Sequence, residues 1–230
     1  MLGRLRERYQ AMMMPIGRVI AKTGITPNAI SVLTLAIAIL TAWFFYFGDL
    51  LLGLLTMVFT VILDMFDGAV ARANNMSSPF GATLDHTLDR YAEFLFLFGL
   101  MLGPAASLQK FLHWVWGYFA LFGMVMASFT RAKAESVGGM DDCSVGIAER
   151  QEKLILTFVG ILLLMVDPVD GWMGYSASVP VFMIDVLSIT NILTLCVVIV
   201  GLLSHITVIQ RLLYARKVIG EPRSDSVDNV

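Results

Sequence analysis

The chain has 230 residues, of which 57% are hydrophobic and 15% charged; its mean hydropathy is +0.77 and its formal net charge −2. Soluble domains contain about 25% charged residues, so this composition excludes an ordinary soluble enzyme, and we expect no nucleic-acid partner. Several windows reach the roughly 20 apolar residues that cross a bilayer as a helix. We therefore predict an all-α integral membrane protein, with six transmembrane helices and an N-terminal amphipathic surface helix.

We predict that residues 1–24 form the amphipathic surface helix. Apolar residues recur at spacings of three and four between positions 2 and 20, and Arg4, Arg8 and Arg18 are displaced from the stripe. Such a helix lies in the membrane interface with its basic residues toward anionic headgroups. A soluble tail is the alternative. The segment lacks a continuous apolar core and a small-residue cleavage site, so we do not expect a cleavable signal peptide.

We predict that residues 25–215 form one membrane domain. The first span is expected to begin at Thr26-Pro27, with Thr as N-cap and Pro at the first helical position, and to end in a turn at Gly48-Asp49. We predict a polar loop over residues 74–81. Residues 216–230 are expected to form a disordered tail. The six predicted spans lie near residues 28–47, 51–72, 86–106, 110–133, 153–167 and 183–213.

Charge asymmetry predicts the orientation. If the N-terminus is cytoplasmic, all Lys and Arg residues except Lys110 lie in or beside cytoplasmic segments. This positive-inside pattern predicts a multi-pass protein of the plasma membrane with its charged site on the cytoplasmic side. The opposite side carries acidic residues: Asp49, Asp167, Asp170 and Asp185. Cys143, in a loop, and Cys196, inside a helix, are expected to be free thiols.

The second span ends in the charged stretch DMFDGAVAR, residues 64–72. At 100° per helical residue, one sector of about 140° holds two acids, two small residues and a basic residue. They are Asp64, Asp67, Gly68, Ala71 and Arg72. On the next span Asp85 and Asp89 are four residues apart, and Glu93 continues their line. The helical hairpin is therefore expected to bring carboxylates of both spans together.

A charge at mid-membrane costs about 2.5–3.5 kcal/mol, so clustered carboxylates need a partner. Carboxylate oxygens favour Mg²⁺ or Mn²⁺, which predicts one or two divalent ions. Gly68 and Ala71 leave space for a flat group, and Arg72 offers a bidentate fork to phosphate. Metal, phosphate and a flat group together indicate a nucleotide diphosphate. The alternative, salt bridges to Arg72 and Arg90, would explain two of the acids but not four.

The full pattern D64-x2-D67-G68-x2-A71-R72-x8-G81-x3-D85-x3-D89 resembles the signature of the CDP-alcohol phosphotransferases. A second DxxDG, residues 167–171, lacks the rest of the pattern and is expected to lie in an external turn. The resemblance implies an enzyme in which a hydroxyl attacks the lipid-side phosphorus of a CDP-lipid and CMP leaves. It also implies a homodimer.

The same resemblance implies site residues. The metal ions, Mg²⁺ or Mn²⁺ and two in number, would be held by four carboxylates: Asp64, Asp67, Asp85 and Asp89. Asp89 would also act as the general base. The CDP-lipid would be bound by small and polar residues at the cytoplasmic ends of the first three spans: Pro27, Asn28, Gly68, Ala71, Arg72, Ser78 and Gly81.

The acceptor alcohol is indicated by basic residues after the fourth span. The strings at residues 85–93, 131–135 and 146–150 resemble the branch that makes phosphatidylinositol phosphate or archaetidylinositol phosphate. The residues expected to hold the acceptor phosphate are Ser128, Arg131, Lys133, Arg150 and Arg211. A cluster of this kind suits a phosphorylated polyol such as inositol 1-phosphate.

Several alternatives stay open. Glycerol 3-phosphate is the second candidate acceptor and serine the third, and the basic residues could serve only as positive-inside anchors. Outside enzymes, the acidic hairpin could line a cation transporter, although a transporter has no use for Arg72 beside its ligands. The sequence does not separate a diacylglycerol donor from an archaeal ether lipid.

Overall fold

All regular structure in the described part of this computed structural model is helical, because long apolar runs satisfy their backbone hydrogen bonds within helices. The described residues are 15, 19, 24–73, 76, 78–103, 111–166, 189 and 191–220; the side chains of 72 and 73 are not among them. Within these ranges the helices are α1 (Pro27–Phe47), α2 (Leu50–Ala73), α3 (Pro79–Leu102), α4 (Trp114–Ser136), α5 (Arg150–Val166) and α6 (Ile192–Ile219). The predicted all-α class is confirmed.

Three of these helices have the length and apolar composition of a membrane span: α1, α2 up to Ala71, and α6. The other three are shorter or more polar. Four charged residues lie in α3, and α5 has only 17 residues. The six-span prediction is therefore supported for three helices and stays a prediction for the rest. Of the N-terminal surface helix only Pro15 and Val19 are described, both helical, so that element also stays a prediction.

The predicted start and end of α1 are confirmed. The Thr26 hydroxyl accepts a hydrogen bond from the backbone N–H of Ala29 at 3.3 Å, and Pro27 occupies the first turn. At the other end Gly48 has φ of 91°, a left-handed conformation that glycine adopts without strain. The backbone N–H groups at this turn bond back to the last turn of α1, so α2 follows immediately.

Two predicted boundaries are wrong. The helix α3 begins at Pro79, inside the predicted loop, because Ser78 caps it and Pro fits the first helical turn. The helix α6 begins at Ile192, since Asn191 accepts a hydrogen bond from the N–H of Thr194 and caps it there. It continues to Ile219, past the predicted start of the tail. Residues 167–171, 183–188 and 221–230 lie outside the described part of the chain.

The chain groups into two compact units, residues 1–111 and 112–230. In the first unit α1 packs against both α2 and α3. In the second unit α6 packs against both α4 and α5. Both cysteines are free, as predicted, and both are buried.

Small residues allow α3 to approach α1 closely. A Cβ atom on Gly99 would lie 2.7 Å from the Ala42 Cα, and one on Gly103 would collide with the carbonyl oxygen of Phe45. Both obstacles are backbone atoms, which cannot rotate away. These two glycines, four residues apart, are therefore packed against α1 of the same chain.

We expect Gly99→Ala to destabilise the protein, although alanine favours a helix over glycine by about 1 kcal/mol. Overpacking against the Ala42 backbone costs roughly 1–3 kcal/mol, so the two effects have opposite signs. Thermal unfolding in detergent measures the outcome, and a lower midpoint is expected. Ala36→Val, on the exposed face of α1, is the control and should leave the midpoint unchanged. A raised midpoint for Gly99→Ala would contradict the close packing.

Candidate functional site

Three aspartates in the first unit lie close enough to share a cation. One carboxylate oxygen each from Asp64, Asp67 and Asp85 lies within 4.8 Å of the others. Oxygen ligands on opposite sides of Mg²⁺ are about 4.2 Å apart, since each bond is about 2.1 Å long. The two residues of α2 are three apart and so share a face, and Asp85 comes from the second turn of α3. The arrangement and chemistry of these carboxylates fit a divalent metal.

The fourth predicted acid faces the same space. Asp89 lies one turn beyond Asp85 on α3 and has only 9% of its surface exposed. A small pocket brings together residues of α1, α2 and α3: Ser31, Thr34, Leu35, Asp64, Asp85, Leu88 and Asp89. The spacing of the acids in the sequence therefore corresponds to one cluster in space, while the role of each acid stays a prediction.

Sequence reasoning missed the contribution of α1 to this pocket. The Ser31 hydroxyl donates a hydrogen bond of 2.8 Å to Asp67 Oδ2, and both residues are 5% exposed. Thr34 lies three residues further along the same pocket wall. The available signal was two hydroxyl residues at helical spacing in an otherwise apolar span, next to Pro27 and Asn28.

Three predicted donor-binding residues lie together at the N-terminal ends of α1 and α3. A Cβ atom on Gly81 would lie 3.0 Å from Ser78 Oγ and 3.2 Å from Asn28 Oδ1. Ser78 Oγ also accepts a hydrogen bond of 2.9 Å from the N–H of Gly81. A larger residue at position 81 would fill this space. Gly68 and Ala71 are half-buried on α2, and the side chain of Arg72 lies outside the described residues.

In the second unit Arg131 is held by two carboxylates. Its Nε contacts Glu135 Oε1 at 2.8 Å and its Nη2 contacts Asp142 Oδ1 at 3.2 Å. Glu135 Oε1 also accepts from the backbone N–H of Cys143 at 3.0 Å. Hydrogen bonds from the Ser144 hydroxyl and N–H, together with Arg131, hold the pKa of Asp142 below its usual value. The exposed guanidinium of Arg131 is thus fixed between the end of α4 and the loop that follows it.

Arg211 of α6 is 9% exposed and binds backbone carbonyls. Its Nε donates to the carbonyl of Val145 at 2.9 Å, and its Nη1 donates to that of Ala127. The neighbouring Gln210 accepts from the N–H of Ile147 at 2.9 Å. Gly146, between Val145 and Ile147, has to be a glycine. A Cβ atom at this position would collide with Thr207, and its φ of 147° is one that other residues rarely adopt. These contacts tie the loop of residues 137–149 to α6.

The other predicted acceptor residues are less closely grouped. Ser128 donates to the carbonyl of Met124 within α4, at 3.2 Å. The Lys133 Nζ lies over the Phe129 ring, 5.7 Å from its centre. Because Lys133 is two residues from Arg131 along α4, its side chain leaves the helix on the other side. Arg150 is half-buried at the first turn of α5. The structure therefore does not bring Lys133 together with Arg131.

Comparison with known proteins gives consistent matches along the chain. Residues 24–183 match the sequence model of a family described as CDP-alcohol phosphatidyltransferase. The archaetidylinositol phosphate synthase of Pyrococcus horikoshii is 31% identical over 217 residues, which cover 94% of this chain and 97% of that protein.

Crystal structures of the phosphatidylinositol phosphate synthase of Mycobacterium tuberculosis resemble the fold. The structure with CDP-DAG bound has a TM-score of 0.70 and 25% identity, with 96% of this chain and 100% of that chain covered. The structure in complex with manganese and citrate has a TM-score of 0.68 and 27% identity, with 88% of each chain covered.

We expect Asp85→Asn to weaken Mn²⁺ binding at least about tenfold, because it removes one anionic ligand from the cluster. Titration of the purified protein with Mn²⁺, followed by electron paramagnetic resonance, measures the dissociation constant. Asp49→Asn is the matched control: Asp49 caps the first turn of α2 by accepting from the N–H of Leu52, and asparagine also caps. Equal Mn²⁺ affinity of the two variants would count against the cluster as the metal centre.

We expect Arg211→Gln to expose Cys143, because this buried residue lies in the loop that Arg211 holds. Burial raises the pKa of this thiol, so the wild type should react slowly with a thiol reagent at neutral pH. The rate of alkylation, measured in a Cys196→Ala background, should rise several-fold in the variant. Arg216→Gln, an exposed position on the same helix, is the control. An unchanged rate would argue that Arg211 does not anchor the loop.

Proposed function

The chain belongs to the CDP-alcohol phosphatidyltransferase family and is a transferase, and from this premise we propose its substrates. We propose that it moves a phosphatidyl-type group from a CDP-lipid to the hydroxyl of inositol 1-phosphate and releases CMP. The observation that carries the proposal is the single pocket in which Asp64, Asp85 and Asp89 meet, with Asp67 beside it. Relatives that make inositol phosphate lipids support the choice of acceptor.

The enzymes of this family use Mg²⁺ or Mn²⁺, and Asp64, Asp67 and Asp85 would hold the first ion. We propose Asp89 as a ligand of a second. A bound divalent ion neutralises the diphosphate and stabilises the attacking and leaving oxygens. Asp89 would take the proton of the acceptor hydroxyl as that oxygen bonds to the lipid-side phosphorus. The bond from this phosphorus to the CMP oxygen breaks in the same exchange, and CMP carries the electron pair away.

The nucleotide would bind where the N-termini of α1 and α3 meet. The closeness of Asn28, Ser78 and Gly81 supports this site, since it has polar groups and a space that glycine leaves open. Helix N-termini also favour anionic phosphates. Pro27 would contact the same donor, Gly68 and Ala71 would flank the cytidine from α2, and we propose Arg72 as a phosphate ligand.

The acceptor phosphate would be held by basic residues of the second unit. Arg131 is the best placed of these, because Glu135 and Asp142 fix its guanidinium while 44% of its side chain stays exposed. Arg150 and Ser128 remain proposed contacts. Arg211 would contribute by holding the loop and through donors beyond the two that bind carbonyls. Lys133 faces another direction, so we propose it as a membrane-surface anchor.

We further propose six spans, a plasma-membrane location with the active site in the cytoplasm, and a homodimer. The positive-inside charge distribution supports the orientation. The first half of α3 is polar, and acidic residues inside a membrane mark functional positions. This supports α3 as a span whose charged end forms the active site. Glycerol 3-phosphate and then serine remain the alternative acceptors. Family membership argues against a cation transporter.

The test is CMP release by purified protein with Mg²⁺, a CDP-lipid and one acceptor at a time. We expect turnover with inositol 1-phosphate to exceed that with glycerol 3-phosphate and serine, and parallel assays with CDP-diacylglycerol and CDP-archaeol identify the donor. Asp89→Asn should lower kcat by about 10²–10⁴-fold while the CDP-lipid still binds, because it removes the general base. Asp49→Asn is again the control.

Two outcomes would overturn parts of this proposal. Absence of CMP with every acceptor would contradict the transferase reaction as stated. Faster turnover with glycerol 3-phosphate would replace inositol 1-phosphate as the acceptor, and full activity of Asp89→Asn would remove its role as base.

A further inference from the structure

We propose that Ser31 is a positioning residue of the metal centre, which orients the Asp67 carboxylate through its hydroxyl. The inference rests on the proposed metal site and adds a residue from α1, which supplies none of the proposed ligands. Ser31 Oγ lies 2.8 Å from Asp67 Oδ2, and the two residues are separated by 36 positions in the sequence. Each is 5% exposed, so water does not compete effectively for the bond.

The hydroxyl has a choice of acceptors, and the carboxylate is the stronger one. Ser31 Oγ also lies 3.2 Å from the carbonyl oxygen of Pro27 in its own helix. Hydrogen bonds to an ionised oxygen are shorter and about twice as strong as those between neutral groups. The single hydroxyl proton therefore points across to α2 rather than back along α1.

This bond distinguishes Ser31 from the other buried hydroxyl groups of α1. Thr34 and Thr41 each donate at 3.0 Å to the carbonyl four residues earlier, a contact that stays within the helix. Both are buried as deeply as Ser31. Of these three buried hydroxyl groups of α1, that of Ser31 reaches a residue of the acidic cluster.

A neutral donor suits a metal ligand better than a basic residue would. Lysine or arginine at this place would place a positive charge beside Asp67 and compete with the cation. The Ser31 hydroxyl restricts rotation of the carboxylate and occupies one lone pair of Oδ2, yet leaves the charge available. Ligating carboxylates are commonly oriented by such hydrogen bonds, and loss of one weakens metal affinity about 10–100-fold.

The experiment is Mn²⁺ titration of Ser31→Ala, in purified protein without CDP-lipid or acceptor. We expect a dissociation constant about 10–100-fold above that of the wild type. Thr41→Val removes a buried hydroxyl from the same helix and should bind Mn²⁺ like the wild type. Ser31→Thr keeps the donor and should recover most of the affinity.

A purely structural role gives a different result. It would lower the midpoint of thermal unfolding of metal-free Ser31→Ala while Mn²⁺ affinity stayed at the wild-type value, and that outcome would overturn the proposal for Ser31 alone. Failure of the wild type to bind Mn²⁺ would overturn the metal centre and this inference together. The two failures are therefore distinguishable.

Discussion

Repulsion between carboxylates is the constraint on which the site depends. Oxygens of three aspartates lie within 4.8 Å of one another, and Asp67 is almost fully buried. At such distances and away from water, like charges destabilise the arrangement unless a cation or a bound proton neutralises part of the charge. The helices must hold the acids in place before the cation binds. The caps at Thr26 and Ser78 and the close packing of α1 against α3 provide that rigidity.

Much of this site could be predicted because helices convert spacing into direction. Residues three or four apart in a helix share a face, so the positions of Asp64 and Asp67, or of Asp85 and Asp89, are given by the sequence alone. The cap at Thr26-Pro27 was equally predictable, because its chemistry is local. The Ser78-Pro79 cap used the same chemistry, yet the polar residues that precede it made the stretch resemble a loop.

Contacts between distant residues could not be predicted in the same way. Ser31 meets Asp67 across 36 positions, and Arg211 meets the carbonyl of Ala127 across 84. Nothing in the local sequence tells whether an arginine near a helix end binds a phosphate or a backbone carbonyl. The prediction that grouped Lys133 with Arg131, by contrast, could have been avoided from helical geometry, since two residues along α4 turn a side chain to the other side of the helix.

The exposure of α1 has a consequence for the enzyme in its bilayer. One side of this helix carries Ser31 and Thr34, while large apolar residues such as Val32, Ile39 and Trp43 are exposed on its other sides, where acyl chains would contact them. A span whose apolar length differs from the local hydrocarbon thickness responds by tilting. Because α1 packs closely against α3 and bonds to Asp67 of α2, it can keep the Ser31–Asp67 bond only by tilting together with these two helices. A bilayer of different thickness would then reorient the acidic cluster as a unit and leave its internal distances unchanged.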